Sequence, residues 1–285
     1  MDQNNRLPSF FFITGVPKSG TTWMQLLLNT HQNIFCRPED TFSELLNGLQ
    51  SFLKGYNNLL DKTNKKTAQQ KEIFYYNQDD VLNCFKFLVT QALSKPQTSG
   101  QPVIAAGTKD NAIINQAGLY KKLFPEAKFI CIVRNPKDIA VSSWFHNLRV
   151  ETNFHERSGG DLAAWAQTIA TNWNTCILNL SHEFKGADNQ LIWVRYEDLL
   201  LDAIPTMASV FTFIGVPTDR AEVEKVIDQN RFNKLAQGRE AGNEDRTSFF
   251  RKGVSGDYKN HLTPEIWKEV TRDAHEVMRE LRYEP

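Results

Sequence analysis

The residues best suited to chemistry stand together near the N-terminus, in Gly15-Val16-Pro17-Lys18-Ser19-Gly20-Thr21-Thr22-Trp23. Two glycines bound a loop that holds one lysine, and hydroxyls on Ser19, Thr21 and Thr22 accompany it. Such a segment grips an oxyanion, because backbone N–H groups and the positive end of a following helix face one point. The glycines have the spacing of GxxxxGK[ST], but Thr21 and Thr22 stand where a nucleotide triphosphatase has Lys and Ser/Thr. The lysine lies inside the loop instead, so the loop suits a phosphate without being built as an ATPase loop. Two distant segments add cations, Arg134-Asn135-Pro136-Lys137-Asp138 and Arg251-Lys252-Gly253. Arginine meets phosphate oxygens in pairs through its planar fork.

These segments need elements to position them. Residues 10–14 read as a buried parallel strand, followed by a helix to about His31. Residues 32–78 are rich in Asn, Gln and Lys, and are expected to form short helices and loops over one edge. A helix over 79–94 carries Val81, Phe85, Leu88 and Ala92 on one face, and residues 95–100 break it. Short strands are predicted at 103–106, 128–133 and 191–196. Asn135 reads as a helix cap with Pro136 at the first helical position, opening a helix to about Leu148. Helices are also expected at 161–184, from Glu197 to about Ile214, at 219–229 and from Thr263 to Leu281, with a long functional loop over 236–262. Strands alternating with helices predict an α/β fold, a single domain over 1–285 with a central parallel β-sheet flanked by helices and a P-loop-like loop after the first strand. Ligands sit at the carboxyl ends of such strands, where Lys18, Lys109, Arg134 and Tyr196 fall.

Composition narrows the partners. The 285 residues are 41% hydrophobic, with 33 basic and 33 acidic side chains, so bulk attraction to nucleic acid or an anionic membrane is not indicated. The N-terminus is polar, and no apolar run approaches the roughly 20 residues of a membrane helix. Cys36, Cys84, Cys131 and Cys176 lack metal or disulfide spacing, which fits a reducing cytoplasm.

The three segments, Pro17–Trp23, Arg134–Asp138 continuing through Ser142, and Arg251-Lys252-Gly253-Val254-Ser255-Gly256-Asp257-Tyr258-Lys259-Asn260, together resemble the cytosolic-type sulfotransferases that use 3′-phosphoadenosine 5′-phosphosulfate (PAPS). Order and separation match over nearly the whole chain. The resemblance implies that Lys18, Ser19, Gly20, Thr21 and Thr22 hold the 5′-phosphosulfate. It implies that Arg134, Ser142, Arg251, Lys252 and Gly253 hold the 3′-phosphate, and that Trp23, Tyr196 and Phe232 contact the adenine. It also implies a small-molecule hydroxyl or amine acceptor, 3′-phosphoadenosine 5′-phosphate (PAP) as product, and no metal. Lys18 is expected to stabilise the leaving phosphate.

The sequence departs from the family's pattern twice. The family's histidine base lies in a Lys-x-His segment that here reads Lys109-Asp110-Asn111, and an amide is no base. Asp110 is the expected replacement, beside Lys109, with His31 and His146 as fallbacks; His146 lies one turn beyond Ser142. A dimer element follows the third motif in many members; Lys259 and Thr263 match it, while Pro264 and Lys268 do not, so monomer and homodimer both stay open. Two rival readings also remain: a P-loop metabolite or nucleotide kinase, and a degenerate PAPS- or PAP-binding protein without activity. The acceptor pocket is expected from 32–78, 143–160 and 236–250, where Arg239, Glu240, Glu244, Asp245 and Arg246 suit a polar or cationic acceptor.

Overall fold

The computed structural model describes residues 7–39, 42–67, 75–95 and 102–285. Its centre is a five-stranded, wholly parallel sheet in the order β2-β3-β1-β4-β5. The strands are β1 (Ser9–Thr14), β2 (Ile34–Arg37), β3 (Ala105–Lys109), β4 (Lys128–Val133) and β5 (Leu191–Arg195). The helices in chain order are α1 (Thr21–Thr30), α2 (Phe42–Thr67), α3 (Gln78–Ser94), α4 (Ala117–Leu123), α5 (Pro136–Val150), α6 (Phe154–Arg157), α7 (Leu162–Glu183), α8 (Tyr196–Leu201), α9 (Ala203–Phe213), α10 (Arg220–Gln229), α11 (Phe232–Leu235), α12 (Pro264–Val270) and α13 (His275–Glu280).

Both faces of the sheet are covered, which explains why β1 is apolar without alternation. Phe12, Phe129, Cys131 and Val133 turn to one side, among Val81, Phe85, Tyr120 and Trp173 from α3, α4 and α7. Phe11, Ile13, Ile130 and Ile132 turn to the other, among Met24, Leu27, Val210 and Val226 from α1, α9 and α10. Gly107 in β3 exists for closeness: a Cβ there would lie 2.2 Å from the Phe11 carbonyl oxygen. Strand order reverses at β1, between β3 and β4, so the loop after β1 opens at the switch point where such sheets bind ligands.

Several elements differ from the sequence expectation. The region 32–78 holds strand β2 and a 26-residue helix, α2, rather than short irregular pieces. Phe42, Leu45, Leu46, Leu49 and Leu53 form the stripe of α2 that packs on the core; its polar exposed faces masked that period. Strand β3 starts at Ala105, not Val103, and runs through Lys109. The buried stripe of α3 is Val81, Phe85, Val89 and Leu93, with Leu88 and Ala92 only half-buried. The expected break after α3 falls at its printed end, but residues 96–101 lie outside the described residues. Tyr196 opens α8 instead of ending β5. The last helix is interrupted at Thr271, whose hydroxyl bonds the Trp267 carbonyl (2.7 Å), and a 3-10 turn follows over Arg272–Ala274. Trp267, Thr271, Ala274, Val277 and Met278 are its buried residues. Thr263 and Pro264, within the region compared with a dimer element, cap and start α12.

Candidate active site

The loop after β1 is tight and strained. The Ser19 N–H donates to the Val16 carbonyl (3.1 Å), and Lys18 takes a left-handed backbone with φ 75°. A non-glycine residue held there stores about 1–3 kcal/mol. Gly20 has φ 105°, and a Cβ on it would meet the Tyr196 ring at 2.6 Å, so only glycine lets α1 start against that ring. Burial, and then the charges of Arg149, Arg134, Lys109 and Arg251, lower the Lys18 ammonium to about 8. Its Nζ stands 4.8 Å from the centre of the Phe249 ring.

Arg134 joins this loop to the C-terminal segment. Its guanidinium donates to the Lys18 carbonyl (3.2 Å) and to the Val254 carbonyl (3.1 Å), and stacks 4.3 Å from the Tyr196 ring centre. The start of α5 holds the same segment. Asn135 caps the helix at the Lys137 N–H (3.0 Å), and Asp138 accepts from the Gly256 (2.7 Å) and Tyr258 (3.2 Å) N–H groups. Ser142 follows one turn later, half-buried. Arg251 and Lys252 both reach Asp257, and Arg251 also reaches Glu244. Burial pushes the Asp257 carboxyl up, but hydrogen bonds from Lys252, Arg251 and Asn260 outweigh it and hold it well below the usual carboxylate range.

The aromatic residues converge as well. Trp23 meets Tyr196 edge-on at 5.7 Å, and its Nε1 donates to the Asn230 carbonyl (3.0 Å). Phe232, two residues on, packs so closely on Gly253 that a Cβ there would lie 2.1 Å from its ring. Thus Lys18, Ser19, Gly20, Trp23, Arg134, Tyr196, Phe232, Lys252 and Gly253 are brought to one cleft from five separate stretches of the chain. Thr22 is half-buried in the first turn of α1.

The end of β3 forms the cleft's second wall. Lys109 is buried and its Nζ pairs with Glu39 at 2.5 Å. Asn111 Nδ2 lies 3.4 Å from Glu39 Oε1, and Asn111 Oδ1 accepts from the Thr21 hydroxyl (3.0 Å). Asp110 is buried, and its Oδ1 accepts from the Ala112 N–H (2.8 Å), capping the 3-10 turn Asn111–Asn115. Its position is therefore that of a cap. The carboxylate at this corner with an open side is Glu39, its side chain 49% exposed. Sequence reasoning passed over it because 32–78 read as irregular. The available signal was Arg37-Pro38-Glu39, which follows a strand at the same sheet end as the other candidates. His31 is a structural histidine, its Nδ1 accepting from the Asn33 N–H (3.2 Å) and its ring 5.1 Å from Phe211. His146 lies within the electrostatic reach of Lys18, and burial, Lys18 and Arg149 lower its pKa.

The residues suit a doubly phosphorylated nucleotide on their own terms. Among the described residues, Ser19 Oγ and Arg134 Nε are buried without a hydrogen-bond partner, one in the loop and one beside Tyr196. Groups of this kind are costly to leave unpaired and are satisfied by phosphate oxygens.

A parallel α/β sheet with a glycine-bounded loop at its switch point, and cations from two other strand ends beside it, defines an anion-binding α/β protein. Residues 8–282 match the family model of the sulfotransferase domain, and the chain belongs to that family. The chain is similar to sulfotransferase 1E1 of Cavia porcellus, 22% identical over 276 residues covering 90% of this chain and 78% of that one. It is similar to flavonol 3-sulfotransferase of Flaveria bidentis, 24% identical over 289 residues covering 93% and 80%. Protein-tyrosine sulfotransferase 1 of Danio rerio is 24% identical over 219 residues, 76% of this chain but 56% of that protein. Among solved structures, mouse sulfotransferase SULT7A1 complexed with PAP aligns with a TM-score of 0.57 at 20% identity, covering 97% of this chain and 86% of that chain.

Proposed function

We propose that this chain transfers a sulfuryl group from PAPS to a hydroxyl or amine of a small-molecule acceptor, with Glu39 as the general base. Arg134 carries the reading. It bonds the loop after β1 and the C-terminal segment at once and stacks on Tyr196, an arrangement suited to a nucleotide with phosphates at both ends. The mouse structure and retinol dehydratase, the latter solved with androsterone and inactive cofactor PAP at a TM-score of 0.52, support the same ligand.

When bound, the donor supplies a sulfuryl group on a phosphate leaving group. Lys18, Ser19, Gly20, Thr21 and Thr22 would hold the phosphosulfate, and Arg134, Ser142, Arg251, Lys252 and Gly253 the 3′-phosphate. Trp23, Tyr196 and Phe232 would line the adenine slot. Lys18 and the loop N–H groups stabilise negative charge developing on the leaving phosphate. Glu39 accepts the proton that the acceptor loses, held by Lys109 and Asn111 and tied through Asn111 to Thr21. The lysine inside the loop argues against the kinase reading. No helix among the described residues is long and apolar enough to cross a membrane, which fits the proposed cytoplasmic setting.

The test is sulfate transfer from labelled PAPS across a panel of phenols, alcohols and amines, together with calorimetry of PAP binding. Arg134→Ala is expected to weaken PAP at least tenfold while folding normally. Equal affinity in that variant overturns the 3′-phosphate assignment. PAP binding without transfer to any acceptor returns the degenerate-binder reading.

Lys18 also gives a pH dependence. Its free ammonium titrates near 8, and a bound anion favours the charged form. PAP affinity is therefore full below that value and falls as pH rises through it, while the phosphates are already ionised above about pH 7. Calorimetry at pH 8.5 in buffers of different ionisation enthalpy should detect proton uptake. Constant affinity from pH 7 to 9.5 contradicts the assignment.

A further inference from the structure

The cations around Lys18 outnumber those that have a counter-charge or a place in the donor motifs. Lys109 is paired with Glu39, and Arg251 with Glu244 and Asp257. Arg134 is engaged by two carbonyls and Tyr196. Arg149, in the last turn of α5, stands apart. Its guanidinium touches only neutral groups, the Thr247 carbonyl (3.5 Å) and His146 Nδ1 (3.1 Å), and has no carboxylate partner among the described residues. The nearby Glu151 is taken by Arg157 at 2.5 Å.

Arg149 is nevertheless placed at the reaction end of the cleft. Ser142, His146 and Arg149 follow at i, i+4 and i+7 along one face of α5, so Arg149 lies about 10 Å along the axis beyond Ser142. Thr247, which it contacts, is two residues from Phe249, whose half-exposed ring stands over Lys18 Nζ. Arg149 ranks first among the charges that depress the Lys18 ammonium, and it also depresses His146. A neutral His146 accepts from the guanidinium through Nδ1, steadying it without neutralising it.

Resting on the sulfuryl-transfer reading above, we propose that the acceptor carries an anionic group, a carboxylate or its equivalent, beside the reacting hydroxyl or amine, and that Arg149 receives it. A guanidinium meets such a group with two charge-assisted hydrogen bonds. The charged residues of 236–250, expected to suit a polar or cationic acceptor, are otherwise engaged. Arg239 donates to the Asn243, Arg251 and Phe250 carbonyls, Glu244 pairs with Arg251 and Arg246, and Asp245 caps Thr247. The remaining carboxylate, Glu240, accepts from Asn233 Nδ2 (3.2 Å).

The test compares two matched pairs with PAPS: 4-hydroxyphenylacetate against 4-hydroxyphenylacetamide, and 6-hydroxyhexanoate against its amide. In at least one pair the wild type should favour the acid at least tenfold in kcat/KM. Arg149→Gln should bring that ratio to within about twofold of unity, and Arg149→Glu should invert it, with PAP affinity within twofold of wild type in both. A wild-type ratio near one, a ratio unmoved by either substitution, or PAP binding with no turnover of any of the four overturns the inference. Absent PAP binding in the wild type instead removes the sulfuryl-transfer reading beneath it.

Discussion

Replacing Lys18 with alanine is expected to lower kcat by about 10³-fold or more, while the melting temperature stays constant or rises. Removing one neutral donor from a preorganised anion site costs about 10²–10³ in rate, and an ammonium bonds more strongly than a neutral group. The same residue is unfavourable for the resting fold. Its backbone is left-handed, its amine is largely desolvated and lowered to about 8, and four cations act on it. Among the described residues its ammonium meets the Phe249 ring alone, an interaction of about 0.5–2 kcal/mol. Alanine keeps the backbone strain but removes the buried charge, so folding loses little. A residue that costs stability and is decisive in turnover is what a functional site retains. Single-turnover kinetics with PAPS, beside thermal denaturation, checks both halves. Near-wild-type turnover removes the assigned role, and a large fall in melting temperature shows that the loss is structural.

The sequence was most legible where one local cause decides the structure. Asn135-Pro136 reads as a helix start because a side-chain acceptor and a fixed φ act within one turn, and α5 starts there. The run Phe10–Thr14 reads as a central strand because both of its faces are buried, and β1 lies between two neighbours. It was least legible where distant contacts decide. The 26 residues of α2 make about seven turns, but its apolar stripe is narrow, and Asn, Gln and Lys on the outer faces hide it. The β3 register depends on Gly107 meeting Phe11, a fact of packing and not of local pattern. For the candidate site, the cations and glycines could be singled out because their types suit phosphate chemistry. Glu39 was not, since a lone glutamate gains meaning only once β2 sets it against Lys109.

The second large effect is expected at Glu39. Glu39→Gln should lower kcat by about 10²–10⁴-fold with an unactivated alcohol acceptor, the range for loss of a general base. The amide preserves size and keeps one oxygen able to accept from Lys109 Nζ, so the buried lysine is not left without a partner. Asp110→Asn should cost far less, because the amide oxygen still caps the Ala112 N–H. The contrast separates a proton acceptor from a structural carboxylate one corner away. Acceptor acidity supplies a second axis. As the acceptor's own pKa falls toward that of a nitrophenol, less proton transfer is needed in the transition state, and the deficit of Glu39→Gln should shrink while that of Lys18→Ala persists. Equal deficits for Glu39→Gln with both acceptor types would mean that Glu39 only anchors Lys109. A full deficit in Asp110→Asn would move the base to that position.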